Sequence, residues 1–438
     1  MQRDKMRLVY TRNELQKYIV LIFSALVAVL IISISSSASI HVFSMWAFAL
    51  IACILCGFNF FHPYFWFSIF FTLYSTANAI LWEAGVRSGN YTKEQILYPV
   101  IALTVVLIVI GTKKNDNIYE NREVVNDVKQ DDERILKWVI IICALAAILV
   151  SFILRARGYT SKVDMRRSGD VFFRYAVHIV RFMTLFVILY VGKVFDRHGF
   201  VPWNIIIVGG IGALVFTLFT SERDVIFRFG YTVVLLLFAE KVLKPRHIPI
   251  VAISAILAMV LSVIIKHYFL RGILHTGTGN VLYDFLTSDF NAAGRNLQYL
   301  MDFSWTKGAL GWKTLFTEIF EPILIGIKTV DPDHWFNYTV HTGGYKGYAF
   351  TLVGTGYAIA GLPGIVAVFI VVGVIVKFFY NRYHRSSYWL AAYIYLSSSV
   401  IFSFRQSLQT ITGTIVDHIG LGILFCVLIR RIHIGSRR

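Results

Sequence analysis

In the stretch LFTSERDVIFRF (218–229), Glu222, Arg223, Asp224 and Arg228 fall between runs apolar enough to enter a bilayer. Ser221 to Asp224 fits the Ser/Thr-x-x-Asp/Glu capping pattern, which starts a helix at about Glu222. Asp224 and Arg228 are four apart and can pair along that helix. Arg223 is then left in the first turn, beside the unsatisfied N–H groups and the positive end of the helix dipole. A guanidinium in that place suits a phosphate or pyrophosphate, which it grips through paired hydrogen bonds. Capping plus a salt bridge accounts for the same residues without a ligand, since the four charges sum to zero. Charges at this depth are costly and tend to be functional, which favours a site.

Further candidates surround this one. Arg271 and Arg295 lie in a long polar stretch, and Arg405 sits in FSFRQSLQ. RARGYTSKVDMRR (155–167) carries Arg157 and Arg166 among five basic residues against one acid. Such a basic excess on the translocated side of a membrane opposes the insertion bias, so an anionic ligand or a miscounted span explains it. His341, in NYTVHTGGYKGYAF, can accept a proton from a sugar hydroxyl, or can make an ordinary structural hydrogen bond. Tyr345 and the tryptophans before it offer flat faces to sugar rings. Asp417-His418 fits either a proton relay or a pair inside a helix bundle.

Three motifs invite other chemistry and are set aside. Cys53 and Cys56 form a CxxC inside an apolar run with no second pair, which reads as packing. Asp331-Pro332-Asp333 has the form that metal-dependent glycosyltransferases use, but reads as a loop turn. GKVFDRHGF (192–200) resembles the G-x-x-x-D-R-x-G loop of major-facilitator transporters, yet follows a sixth span instead of a second and lacks the basic tail. No metal and no cofactor is expected.

The elements that position these residues are membrane helices. Of 438 residues, 57% are hydrophobic and only 15% charged, against roughly 25% in soluble domains. Apolar runs near 18–38, 42–58, 63–83, 96–111, 137–154, 173–194, 203–220, 224–240, 248–265, 349–380, 388–404 and 411–430 predict an all-α polytopic membrane protein of about 12 spans. Gly361-Leu362-Pro363-Gly364 divides the over-long 349–380 run. The first run follows a basic head and is expected to be retained. The expected organisation is spans 1–9 over 1–265, a large outer loop over 266–347, and spans 10–12 over 348–438. Basic residues before the first span, after the fourth, eighth and tenth, and at the end of the chain place both termini in the cytoplasm. The net charge of +17 follows from that orientation, so nucleic acid is not an expected partner.

Taken together, the span count, the late outer loop, FTSERDVIF, and HTGGYKGYAFTLVGTGYAIAGLPG (341–364) resemble the Wzy-type O-antigen polymerases, or oligosaccharide repeat unit polymerases. The resemblance implies a GT-C-like fold in the bacterial inner membrane and an inverting, metal-independent glycosyltransferase acting at the periplasmic face. The donor is a growing glycan on undecaprenyl pyrophosphate, and the acceptor is one repeat unit on the same carrier. On this resemblance Arg223 stabilises the leaving pyrophosphate, with Arg405 and Arg271 as further anion contacts, and His341 is the base on the acceptor hydroxyl. Arg295, Arg228, Arg166, Arg157 and Tyr345 are candidate substrate contacts. Membrane lipids and a chain-length regulator are the other expected partners. An O-antigen ligase shares this chemistry, and a glycan transporter is a rival of another class; the latter predicts two related halves, and no internal repeat is seen.

Overall fold

The computed structural model describes residues 2–85, 90–112, 130–159, 165, 171–220, 222–264, 289–323, 330–340 and 350–435. Among them there are helices and no strand. In chain order these are α1 (Gln2–Ile34), α2 (Ala38–Leu55), α3 (Pro63–Glu83), α4 (Glu94–Ile110), α5 (Gln130–Ala156), α6 (Val171–His198), α7 (Trp203–Thr220), α8 (Arg223–Ala239) and α9 (Ile248–Ile264). Then follow α10 (Asp289–Met301), α11 (Gly311–Phe320), α12 (Pro332–Trp335), α13 (Leu352–Ala360), α14 (Leu362–Tyr380) and α15 (Ser387–Ser403). The last run is α16 (Gln409–Gly413), a π-helix (Thr414–Gly420) and α17 (Leu421–Gly435).

Each apolar run predicted as a span falls on a helix. Among the described residues, eight helical stretches are long and apolar enough to cross a membrane: those of α1, α2, α3, α5, α6, α7 and α14, and Gln409–Leu428. The chain is therefore a helical, multi-pass membrane protein. The other four, α4, α8, α9 and α15, have 17 residues each. At 1.5 Å per residue that is about 25 Å, short of a core near 30 Å. The 349–380 run breaks where glycine and proline predict. Gly361 has φ +66°, a conformation that favours glycine, and it separates α13 from α14. A Cβ on Gly364 would overlap the carbonyl oxygen of Gly356, so these glycines let the two helices fold back on each other.

The chain clusters into two compact units that cut across the expected division into 1–265, 266–347 and 348–438. The first comprises Met1–Asp116, Phe285–Tyr380 and Val400–Thr412. His62 caps α3, its Nδ1 accepting the Tyr64 N–H at 3.1 Å ahead of Pro63 at the first helical position. Along α3, Phe67 and Phe71 meet the Phe404 ring edge-on at 4.9 and 5.1 Å. Helix ends pair in two groups. At one, the Thr112 hydroxyl meets the Glu14 carboxylate and Lys377 Nζ donates to the Val109 carbonyl at 2.8 Å. At the other, Lys93 Nζ donates to the Ser33 carbonyl at 2.9 Å and the Ser39 hydroxyl to Glu83 at 3.0 Å.

Within 266–347, the described helices do not stand apart as a separate cap. Gly294 of α10 brings the backbone close to Asn78 of α3, and Gln95 Nε2 donates to the Gly294 carbonyl at 2.6 Å. The Leu310 N–H donates to the Ala358 carbonyl of α13 at 2.9 Å.

The second unit comprises Asn117–Asp284, Asn381–Ser399 and Gly413–Arg438. Gly212 of α7 lets that helix approach Ala144 of α5. GKVFDRHGF closes the last turns of α6: Lys193 Nζ donates to the Tyr388 hydroxyl at 3.0 Å, the Ser387 hydroxyl to Asp196 at 3.0 Å, and Arg197 lies 3.4 Å from Glu133. These contacts give the motif a packing role.

Candidate anion and proton site

The stretch that opened the sequence analysis forms the start of α8. The helix begins at Arg223 with Glu222 as its N-cap, and Glu222 makes no side-chain cap. That is one residue later than a box built on Ser221 and Asp224 requires, and Ser221 itself lies outside the described residues. Two hydroxyls of α7 take over the entry instead. The Glu222 N–H donates to Thr220 Oγ1 at 3.3 Å, and Thr217 Oγ1 donates to the Glu222 carbonyl at 3.2 Å.

Asp224 serves the interior. Its Oδ2 lies 3.5 Å from Arg228 Nε, as the four-residue spacing predicts. It also lies 3.5 Å from Arg181 Nη2 of α6, a residue the sequence reading passed over. Asp224 and Arg228 are both buried. Arg228 Nη1 donates to Ser399 Oγ of α15 at 2.6 Å. Charge-assisted N–H···O bonds run near 2.7–2.9 Å, so both carboxylate contacts are ion pairs not drawn in to hydrogen-bond length. Arg181 Nε is buried with no hydrogen-bond partner. A guanidinium held this way keeps a donor that an anion could take.

His418 continues the cluster. It lies in the π-helix between α16 and α17, and π-turns are rare and recur at functional sites. Its Nε2 is 3.1 Å from Nδ1 of His178 on α6, and the rings stack at 5.2 Å between centroids. Tyr395 of α15 is fully buried, packs on the His418 ring and faces the charges of Arg228, Arg181 and Asp224.

The remaining predicted residues divide as follows. Arg223 is half-buried and already engaged, so it is not the unoccupied guanidinium that the Asp224–Arg228 pairing predicts. Arg157 is exposed, with its guanidinium 4.5 Å from the centre of the Phe172 ring. These two belong to the second unit with the cluster. Arg405 and Arg295 belong to the first. Arg405 sits 4.6 Å over the Phe402 ring, and Arg295 Nε donates to Asn296 Oδ1 at 3.0 Å. His341, Tyr345, Arg271 and Arg166 lie outside the described residues. The signal for Arg181 was present in the sequence: an arginine well inside the run 173–194 is an intramembrane charge, and such charges carry partners or function.

A second set of buried ionisable groups lies in the first unit. Glu318 of α11 is 1% exposed, and Thr412 Oγ1 donates to its backbone carbonyl at 2.7 Å. Neither carboxyl oxygen has a hydrogen bond of normal geometry, although the Ser407 hydroxyl and the Gln409 N–H are near enough to favour the charged form. Burial outweighs them and, with Asp333 and Asp331 opposing a second negative charge, pushes Glu318 up to about 8. Burial and then Asp331 likewise hold Asp333 well above the usual carboxylate range. Asp331 caps α12, its Oδ1 accepting the Asp333 N–H at 2.9 Å, so Asp331-Pro332-Asp333 forms a capped turn. No family model, no curated protein and no solved structure matches this chain.

Proposed function

We propose that this chain is a polysaccharide polymerase of the bacterial inner membrane. It transfers a growing glycan from undecaprenyl pyrophosphate onto an undecaprenyl-pyrophosphate-linked repeat unit at the periplasmic face. The observation that carries this reading is the convergence of Arg181 and Arg228, from two helices, on the single carboxylate of Asp224 at 3.5 Å. As the glycan departs, negative charge gathers on the diphosphate. Preset guanidiniums in a water-poor site stabilise it without reorganising. Arg223, at the mouth of α8, adds the helix terminus to the same grip.

The helix-end contacts within each unit agree with the alternation that twelve crossings require, and the basic residues named above are the ground for cytoplasmic termini. Within the first unit, the start of the apolar stretch of α1 (Asn13–Ile34) meets the end of α4, while the end of α3 meets the start of α2. In the second, the starts of α5 and α15 meet the end of α6. By the same alternation the starts of α6 and α8, within the second unit, would face outward together, which is where a periplasmic site needs them. Arg405 and Arg271 stay as further anion contacts and His341 as a candidate base, all on the resemblance.

The test is glycan length in a deletion strain complemented with Arg181→Ala, Arg181→Lys and Arg223→Ala. The expected result is collapse of the polymer to one or a few repeat units for both alanine variants, with partial rescue by lysine. Ladders of normal length from Arg181→Ala and Arg223→Ala, at normal protein levels, would remove the anion role.

A further inference from the structure

The His178–His418 hydrogen bond needs one proton between the two nitrogens, and the surroundings decide which ring supplies it. His418 is 4% exposed, and its other nitrogen, Nδ1, is buried with no hydrogen-bond partner. If His178 were the donor, a neutral His418 would carry its own proton on Nδ1, an N–H buried without an acceptor. If His418 donates through Nε2, Nδ1 is a bare lone pair. The second arrangement leaves no buried N–H without an acceptor and is the one the geometry supports. Facing the pair are Arg174 and Arg181 from α6, Asp224 and Arg228 from α8, Tyr395 from α15, and Asp417 from the pair's own π-turn. Asp417 is exposed and interacts with His178, so a proton passed along the pair meets a carboxylate at the solvent edge.

We propose that His418 Nδ1 accepts the proton of the incoming sugar hydroxyl and that His178 carries it on toward Asp417. This rests on the transferase reading above. The step balances within the site. The acceptor O–H breaks and its proton goes to Nδ1. The acceptor oxygen bonds to the anomeric carbon of the donor. The bond from that carbon to the diphosphate oxygen breaks, its electron pair leaving with the undecaprenyl pyrophosphate against Arg181 and Arg228. His418 then passes its Nε2 proton to His178 Nδ1. A π-turn suits this use, because it places His418 in a register that a regular α-helix through 414–420 would not give.

The test uses the full-length protein in lipid and lipid-linked repeat units extracted from the strain lacking it. His418→Gln keeps a donor toward His178 and loses the Nδ1 base. The expected result is a fall in kcat of about 10²–10⁴-fold with KM within about threefold. Turnover within about threefold of wild type, or the same loss from His341→Gln alone, would overturn the proposal and leave the polymerase reading standing. If the wild type itself extends nothing, the polymerase reading fails instead. Nitrogen NMR of labelled histidine in the lipid-embedded protein then judges the pair directly, with the His418→Gln variant assigning the signal. An unprotonated Nδ1 on neutral His418 near pH 7 is expected, and an Nδ1–H would overturn the arrangement.

Discussion

Asp224 and Glu318 are both carboxylates buried to within a few per cent, yet their surroundings differ in kind. Asp224 lies between two guanidiniums contributed by different helices. Glu318 faces Asp333 and Asp331, and it lies where burial and like charge both favour the proton. A buried acid is accommodated by a counter-charge or by a proton, and the two solutions have different consequences. Ion pairs held at 3.5 Å can be exchanged for a ligand anion. A protonated carboxyl cannot trade places in that way, but it makes the packing around it depend on pH. The difference separates a place suited to chemistry from a place suited to holding a loop.

The largest effect expected is from Asp224→Ala, which leaves buried Arg228 and half-buried Arg181 without their shared counter-charge. Breaking a buried pair by removing one partner costs about 3–5 kcal/mol. Unfolding of the detergent-solubilised protein should show that loss, and replacing Arg228 by Met in the same chain should restore part of it. A loss below about 1 kcal/mol would mean that the carboxylate is not what accommodates the guanidiniums.

Glu318 sharpens the contrast through pH. The unfolded chain releases its proton near the ordinary glutamate value of 4.5, and the folded chain at about 8. Between those values the folded state holds a proton that the unfolded state lacks, so the contribution is full at low pH and is lost as pH rises toward 8. The loss is about 3 kcal/mol, below the limit of about 1.4 kcal/mol per pH unit, because a loosened loop admits water to the carboxylate. Glu318→Gln should flatten the fall in unfolding midpoint between pH 6 and pH 9. An equal fall in both proteins would assign the dependence to other groups.

How much of this was readable beforehand follows from the range of the interactions. Hydropathy placed a helix under every predicted span, because the bilayer imposes length and apolarity locally. The Asp224–Arg228 pair was readable from a spacing of four, and the α13–α14 break from Gly361 and Pro363, since both are set within one or two turns. Arg181 pairs with a residue 43 positions away, and no local spacing encodes that choice. Glu318 is one acid among several in a long polar stretch; what raises it is the packing of α11 against residues 407–412, which only tertiary structure supplies. The start of α8 came out one residue late because Thr217 and Thr220, on the preceding helix, took over the backbone that the capping pattern assigns to its own side chains.

The smallest effect tests the comparison from its other edge. Arg197 lies 3.4 Å from Glu133, a distance much like those around Asp224, but the Arg197 side chain is 39% exposed. Solvent screens such a pair and the long side chain loses entropy in forming it, so the pair contributes about 0.2–1 kcal/mol. Arg197→Ala should therefore move the unfolding midpoint by a small fraction of the Asp224→Ala shift and leave glycan length unchanged. Similar distances would then give effects several-fold apart, which isolates burial as the variable. A loss from Arg197→Ala comparable to that from Asp224→Ala would mean that α5 and α6 depend on this contact for their pairing, and burial would no longer explain why the two sites differ.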